Sequence, residues 1–580
     1  MINKILEPII TDPRFEPELE ARRLVLPAPV CGVGGYFIEE VEMRDGIKLI
    51  TKVCVPDTGE KWPTLFTRTP YPIMWEMAPT TDISLIEQGY CVVIQSCRGM
   101  NGSGGVYEPF DNERNDGIDG LEWLVKQPWH DGNIATYGSS YMCYTQWVVA
   151  DSLPPEVKTM YLDAFGIDRF GQVYMNGMFR HDIYTSWALQ NSYAKIDDMK
   201  KTYNEALLIQ PHNTMDEKLL GKKLPFYQQY ISKIERSDPY WKDSYWEILR
   251  TMPAKVDIPV CIAEGWFDHN VGGVMVGIKG LRPEIRKQSK IMVGPWDHAG
   301  VAPGVLEYPD GRKHGPTHIT LMVEWFDRIL KGKGINEPTT SEVYVLGKNE
   351  WQTIDTWPSE TKRTKYSLDG SGSLSVTPAD VGSKTYEYDP GNPVDTVGGN
   401  ALLAWMGGLG HTDRGPHLQP DYSDREDVLV FKSIMLDKAM TLMGSVDVFL
   451  EVSTTAPDTS FMVKLSEEFS DGRTINIVDG ASSILLRNES DTILDYTPNE
   501  KVVLKISLWD IAWQLQKGSR IRLDVTSSNF PMYHIHPNKA GVWSAIEDYD
   551  KAEQTIYFGA ENVYFGGENS AVYLPVWNEK

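Results

Sequence analysis

The sequence predicts an α/β layer with an inserted helical cap, followed by an all-β jelly-roll region, and three observations predict it. Apolar strand-like runs alternate with helix-like stretches over residues 1–165 and again over 251–338, the rhythm of parallel strands with helices packed on the sheet. Residues 166–250 break that rhythm with helical stretches rich in aromatics and Met. From 339 to 580 the chain becomes a series of short β-rich runs separated by Gly, Asp, Asn and Pro, the texture of an antiparallel sandwich or jelly roll.

The elements follow in order. "YFIEEVEM", the turn "RDG" and "IKLITKVCV" read as a hairpin. "TLFT" (64–67) is a short buried strand, and "YCVVIQS" (90–96) is apolar on both faces, as central parallel strands are. In "GIDGLEWLVKQ" (117–127), Ile118, Leu121, Leu124 and Val125 recur at helical spacing. "IATY" (134–137) is a strand, "YTQWVVADSL" a helix ending before Pro154, and "VKTMYLDAF" a strand. The helical insertion includes "NSYAKIDDMKKTYNEALL". Strands return at "PVCIAEGWFD" and "SKIMVGPWDH", and "HITLMVEWFDRILKG" is a closing helix. "SEVYVLG" opens the β-rich run, which ends in "AVYLPVW".

Composition narrows the function classes. The net charge is −24, from 56 basic and 80 acidic residues, so phosphate backbones and anionic membranes are disfavoured partners. The six cysteines form no CxxC pair and read as buried, reduced thiols. "MINKILEPIITDPRFEPELE" lacks the apolar core and cleavage site of a signal peptide, and no run approaches the ~18 apolar residues of a membrane span. A cytoplasmic location is the expectation.

"NIATYGSSYMCYTQW" (133–147) carries the chemical signal. A strand turning sharply into a helix lifts one side chain above the sheet, and small neighbours permit the bend. Gly138 stands two positions before Ser140, which makes Ser140 the nucleophile candidate and Ser139 the residue between; Met142 occupies the place where the G-x-S-x-G pattern has its second glycine. A helix-capping serine is the competing reading. A serine hydroxyl needs a base and a group that holds the base's tautomer. Asp268 and His298 end two apolar runs downstream, in the Ser, acid, His order of α/β-hydrolases, with His269 and Asp297 as neighbouring rivals. The amide of Tyr141 is one candidate oxyanion donor, and the phenol of Tyr71, between Pro70 and Pro72, is the other.

"RTPY", "QSCRGMNGSGG", "GSSYMC", "GWFD" and "GPWDH", with "APDTSFMVKL", "SDGRTINIVDG" and "SSNFPMYHIHPN" further on, resemble the CocE/NonD serine hydrolases from about Tyr36 to the C-terminus. That family includes cocaine esterase, α-amino-acid ester hydrolases and Xaa-Pro dipeptidyl-peptidases. The resemblance implies an α/β-hydrolase domain, a helical cap and a jelly-roll domain. It also implies Ser140 as nucleophile, His298 as base, Asp268 as its partner and Tyr71 with the Tyr141 amide as oxyanion donors. It implies no metal and no organic cofactor, and a small ester or amide as substrate. Family members form dimers and larger assemblies, so a homo-oligomer is compatible. Cys143 departs from the family's elbow, which reads G-x-S-Y-x-G. The acids that hold an ammonium in the α-amino-acid ester hydrolases are also missing, since His269, Asn270, Val271 and Gly272 follow Asp268.

Tyr174, Met178, Phe179 and Trp187 in the insertion, and Trp266, are candidates for the substrate pocket. The pairs His314/His318 and His534/His536 have helical and strand spacing, but no Cys or carboxylate cluster completes a metal site. "RGMNGSGG" (98–105) lacks the Lys-Ser/Thr of a P-loop and reads as a turn near the active site.

Overall fold

The computed structural model describes residues 4–9, 13–71, 79–312, 314–401, 414–559 and 570–578; Pro72 and the side chain of His314 lie outside the described residues. The first sheet holds ten strands: β1 (Val33–Glu42), β2 (Lys48–Pro56), β3 (Trp62–Thr69), β4 (Cys91–Ser96), β5 (His130–Ser139), β6 (Val157–Asp163), β9 (Val260–Gly265), β10 (Lys290–Gly294), β11 (Ser341–Val345) and β12 (Glu350–Ile354). Their order is β1-β2-β4-β3-β5-β6-β9-β10-β11-β12. β1 and β2 pair antiparallel, with Tyr36 opposite Cys54, as a hairpin does. From β4 through β11 neighbouring strands run parallel. β4 and β9 are buried along their whole lengths and β5 through its middle, because helices cover a parallel sheet on both faces.

Helices Glu113–Leu124 and Tyr141–Trp147 flank β5, and His314–Lys331 packs on the side of β5 and β6. Between β6 and β9 the chain leaves the sheet for short helices from Arg169–Val173 to Tyr245–Thr251, with a two-strand ribbon, β7 (Tyr174–Met175) and β8 (Met178–Phe179). Helix Met199–Leu208 starts later than the apolar spacing suggested, because Asp198 caps it by accepting the Lys201 amide.

The C-terminal part is β-rich. One antiparallel sheet carries Ser460–Glu468 between Thr474–Ser483 and Arg520–Thr526, with Leu429–Lys432 at its edge. A nine-stranded sheet includes Asp447–Thr454 and Ala571–Trp577. Leu465, Leu523, Leu450 and Ile556 are fully buried in a shared core. The expected boundary at 338/339 needs correction. β11, read as the first strand of the β-rich region, pairs parallel with β10, and β12 pairs with β11. A five-residue alternating run fits either sheet. Here Glu342 meets Lys290 at 3.1 Å and Arg312 at 3.2 Å, and these pairs join β11 to the first sheet. Among the described residues no helix is long and apolar enough to cross a membrane.

Candidate active site

β5 ends at Ser139 and a helix begins at Tyr141. Ser140 makes the turn with φ 55° and ψ −122°, a backbone state that costs a non-glycine residue energy and persists only where its surroundings hold it. Its amide donates to the Asp163 carbonyl at 2.9 Å, and its own carbonyl accepts from the amides of Cys143 (2.9 Å) and Tyr144 (3.2 Å). Gly138 leaves room for the bend: a Cβ there would stand 2.4 Å from Cβ of Met142. Cys143 is buried, with its thiol 3.9 Å from the Phe165 carbonyl. We expect Gly138→Ala to cost about 1–3 kcal/mol of stability by overpacking, read as the midpoint of denaturant unfolding. Turnover of the folded fraction should fall as well, because the turn that aims Ser140 has to shift.

Three side chains from distant segments meet at the C-terminal ends of β5, β9 and β10. Ser140 Oγ lies 3.1 Å from His298 Nε2, and His298 Nδ1 lies 2.8 Å from Asp268 Oδ2. The other Asp268 oxygen accepts the Asn270 amide at 2.7 Å. Asn400 Nδ2 donates to the carbonyls of Trp266 (3.0 Å) and Asp268 (2.8 Å), which holds the acid's loop in place. The rivals fall elsewhere. Asp297 pairs with Arg414 and accepts the amides of Ala299 and Val301. The His269 ring sits 4.4 Å from that of His298, with its Nδ1 3.6 Å from Asp268 Oδ1. Asp268, His269 and His298 bring ligand atoms within 4.8 Å of one another, yet both Asp268 oxygens and His298 Nδ1 are already engaged in hydrogen bonds.

Electrostatics separates the two imidazoles. Burial works against an imidazolium at 298, but the Asp268 carboxylate and its hydrogen bond outweigh it and lift His298 above its ordinary value of 6.5. Burial, and the positive charge His298 would carry, push His269 well below that value, so His269 stays neutral. Glu264, buried beside Asp268, has its carboxyl pushed well up by desolvation and by the Asp268 charge. A proton acceptor works only when neutral, so with His298 in that role activity would be present above its pKa and lost as pH falls through it. The acid limb of a kcat/KM–pH profile should therefore lie above 6.5, the ordinary imidazole value. A limb near 4 would assign it to a carboxylate instead.

Tyr141 is the first residue of its helix, so its N–H has no intrahelical carbonyl to serve. Its phenol is committed elsewhere, donating to Glu113 at 3.0 Å and accepting the Phe110 amide at 2.7 Å. Tyr71, partly buried, sets its ring edge-on to Tyr141 with centroids 6.1 Å apart. Its amide donates to Thr69 Oγ1 at 3.1 Å. Burial pushes its phenol well up, so the hydroxyl beside the elbow is neutral.

Of the expected pocket residues, only Trp187 lies beside the elbow. It stacks on Phe110 at 5.4 Å, and Phe110 stacks on Tyr141 at 4.9 Å. Tyr174, Met178 and Phe179 belong to the short ribbon and pack away from Ser140. Tyr174 donates to the Tyr230 carbonyl, Met178 sits among Met462, Met532 and Tyr533, and Phe179 stacks on Trp543. Trp266 is buried, bonded to the Tyr344 carbonyl and set against Trp357. Residue type marks them as apolar, but Met178 and Phe179 pack against the β-rich part, and Tyr174 packs within the insertion against Phe170 and Tyr230. Tyr107 and Phe110, just past the Gly-rich loop, reach Tyr141 instead. Beneath them Glu113 meets Arg68 at 2.8 Å in a buried ion pair. His534 and His536 are tied to the amides of Phe179 and Asn538.

Comparison with known proteins gives consistent matches. Residues 45–300 match the X-Pro dipeptidyl-peptidase (S15 family) model, and residues 333–563 the X-Pro dipeptidyl-peptidase C-terminal non-catalytic domain. The chain is 27% identical to cocaine esterase of Rhodococcus sp. (strain MB1 Bresler), over 94% of this chain and 99% of that protein. The fold is shared with an α-amino acid ester hydrolase (TM-score 0.76, 22% identity, 95% of this chain and 98% of that one). It is also shared with a CocE/NonD family hydrolase from Staphylococcus aureus (TM-score 0.67, 18% identity, 95% and 97%).

Proposed function

We propose, for a chain that belongs to the CocE/NonD serine hydrolases, that it cleaves a carboxylic ester through an acyl-enzyme formed on Ser140. The observation that carries this reading is the relay of 3.1 Å and 2.8 Å through His298, hung on a strained turn. Ser140 Oγ attacks the carbonyl carbon while His298 Nε2 takes its proton, and Asp268 stabilises the imidazolium. The oxyanion accepts hydrogen bonds from the Tyr141 amide and the Tyr71 hydroxyl. As the tetrahedral species collapses, His298 returns the proton to the leaving alkoxide. A water, deprotonated in turn by His298, then releases the acid and restores Ser140. We read the helices between β6 and β9 as the cap over this site, and the C-terminal sheets as a jelly roll. No cofactor enters any step.

Esters come first because an alkoxide needs less help in leaving than an amine, and no carboxylate follows Asp268 to hold a substrate ammonium. A second reading, an Xaa-Pro dipeptidyl-peptidase-like or acyl-transferring amidase with the same three residues, is favoured by both matched family descriptions. Rapid-quench mass spectrometry on a panel of 4-nitrophenyl esters tests the first reading, with an Xaa-Pro anilide beside it. An acyl adduct on the peptide containing Ser140, and higher kcat/KM for esters, is the expected result. Faster anilide cleavage would move the assignment to the peptidase. Turnover of the esters with no adduct on that peptide would remove Ser140.

A further inference from the structure

Arg169 opens the helix Arg169–Val173 and is 5% exposed. Its guanidinium carbon stands between 4.8 and 5.9 Å from the ring centroids of Phe110, Phe165, Tyr184, Trp187, Tyr230 and Trp246. Its Nε donates to the Tyr230 hydroxyl at 3.1 Å. Among the described residues, no carboxylate pairs with it. Its neighbour Asp168 is taken by Arg236, at 2.6 and 2.9 Å. Two other deeply buried guanidiniums have carboxylate partners, Arg68 meeting Glu113 at 2.8 Å and Arg522 meeting Asp524 at 2.7 Å, while Arg180 donates to the Asn400 carbonyl and lies over Trp509. Nη1 and Nη2 of Arg169 also donate to no described residue, yet they are not among the fully enclosed atoms that lack a partner, as Arg68 Nη2 and Arg180 Nε are. They keep an opening.

The cage around Arg169 adjoins the elbow. Phe110, under the guanidinium, stacks on Tyr141, the residue after Ser140. The Arg169 charge reaches both the Tyr71 phenol and His269. Aromatic faces offset part of the cost of burying a cation. They leave its positive charge uncancelled and its planar fork of donors free, which is the geometry that carboxylates fit.

We propose that Arg169 anchors a carboxylate on the acyl part of the substrate, so that the enzyme prefers half-esters of dicarboxylic acids over neutral esters of the same length. The proposal rests on the reading of Ser140 as nucleophile. Ser140 attacks the ester carbonyl at one end while the free carboxylate at the other end takes the two Nη groups in the aromatic cage.

The test compares 4-nitrophenyl half-esters of succinate, glutarate and adipate with their methyl-capped counterparts, on the wild type, Arg169→Met and Arg169→Lys. For the best chain length the wild type should favour the half-ester by about 10- to 100-fold in kcat/KM, the range for hydrogen bonds to a charged group. Arg169→Met should lose that preference with little change on the capped ester, and Arg169→Lys should retain part of it. A wild type with no preference at any length overturns the proposal. So does a preference that survives in Arg169→Met, or an equal loss on both esters, which would mark Arg169 as packing or as a general aid to the oxyanion. Should Arg169→Met fail to fold, glutarate protection of Ser140 against a fluorophosphonate decides on the wild type and Arg169→Lys. Strong protection of the wild type and weaker protection of the Lys variant supports the anchor; equal or absent protection overturns it. Failure of the Ser140 reading itself would show separately, as absence of labelling and of capped-ester turnover.

Discussion

Ser140→Ala is expected to lower turnover by about five to six orders of magnitude while the fold stays intact. The hydroxyl lies 3.1 Å from His298 Nε2, and alanine leaves the Asp163 contact of the residue 140 amide untouched. Stability should hold or rise slightly, since among the described residues the side chain's hydrogen bond is the one to His298 and the strained backbone of residue 140 is unchanged. His298→Ala should lose nearly as much, and the double variant little more than either alone, because the two groups act as one unit. Initial rates on a 4-nitrophenyl ester, with circular dichroism on the same samples, check this. Losses that multiply would mean that the two residues act in separate steps.

Tyr71→Phe comes next in size. It removes one hydroxyl and keeps the ring, so the edge-on contact with Tyr141 at 6.1 Å survives. Loss of one of two oxyanion donors costs about 3–4 kcal/mol in the barrier, or about 10²–10³ in kcat. The loss should fall on kcat with KM nearly unchanged, because the bond strengthens as charge builds on the oxygen. Fluorophosphonate labelling should slow in parallel, since it passes through a similar charged centre. A rate within threefold of the wild type would take Tyr71 out of the mechanism and leave the oxyanion to the Tyr141 amide.

Some of this site was legible in the sequence and some was not, for physical reasons. Ser140, Asp268 and His298 could be read together because each stands just past an apolar strand-forming run, and a parallel sheet gathers such ends along one edge. The α/β rhythm up to 165 was visible because buried parallel strands are apolar on both faces. β11 was placed in the wrong part because Ser341–Val345 is too short to show which neighbour it joins; the charges on Lys290 and Arg312 that hold Glu342 are distant in sequence. The pocket residues failed on direction. Tyr174 and Phe179 face each other across a two-residue ribbon, and nothing local distinguishes that from facing the substrate. Arg169 had no pattern at all, because six of the rings around it come from five separate stretches of chain.

The most direct test is active-site titration with a fluorophosphonate, read by intact-protein mass spectrometry and peptide mapping. The account predicts one phosphonyl group per chain, on Ser140, at a rate that collapses in His298→Ala. Folded protein that stays unlabelled, or that carries the group on another residue at an undiminished rate in Ser140→Ala, would contradict it.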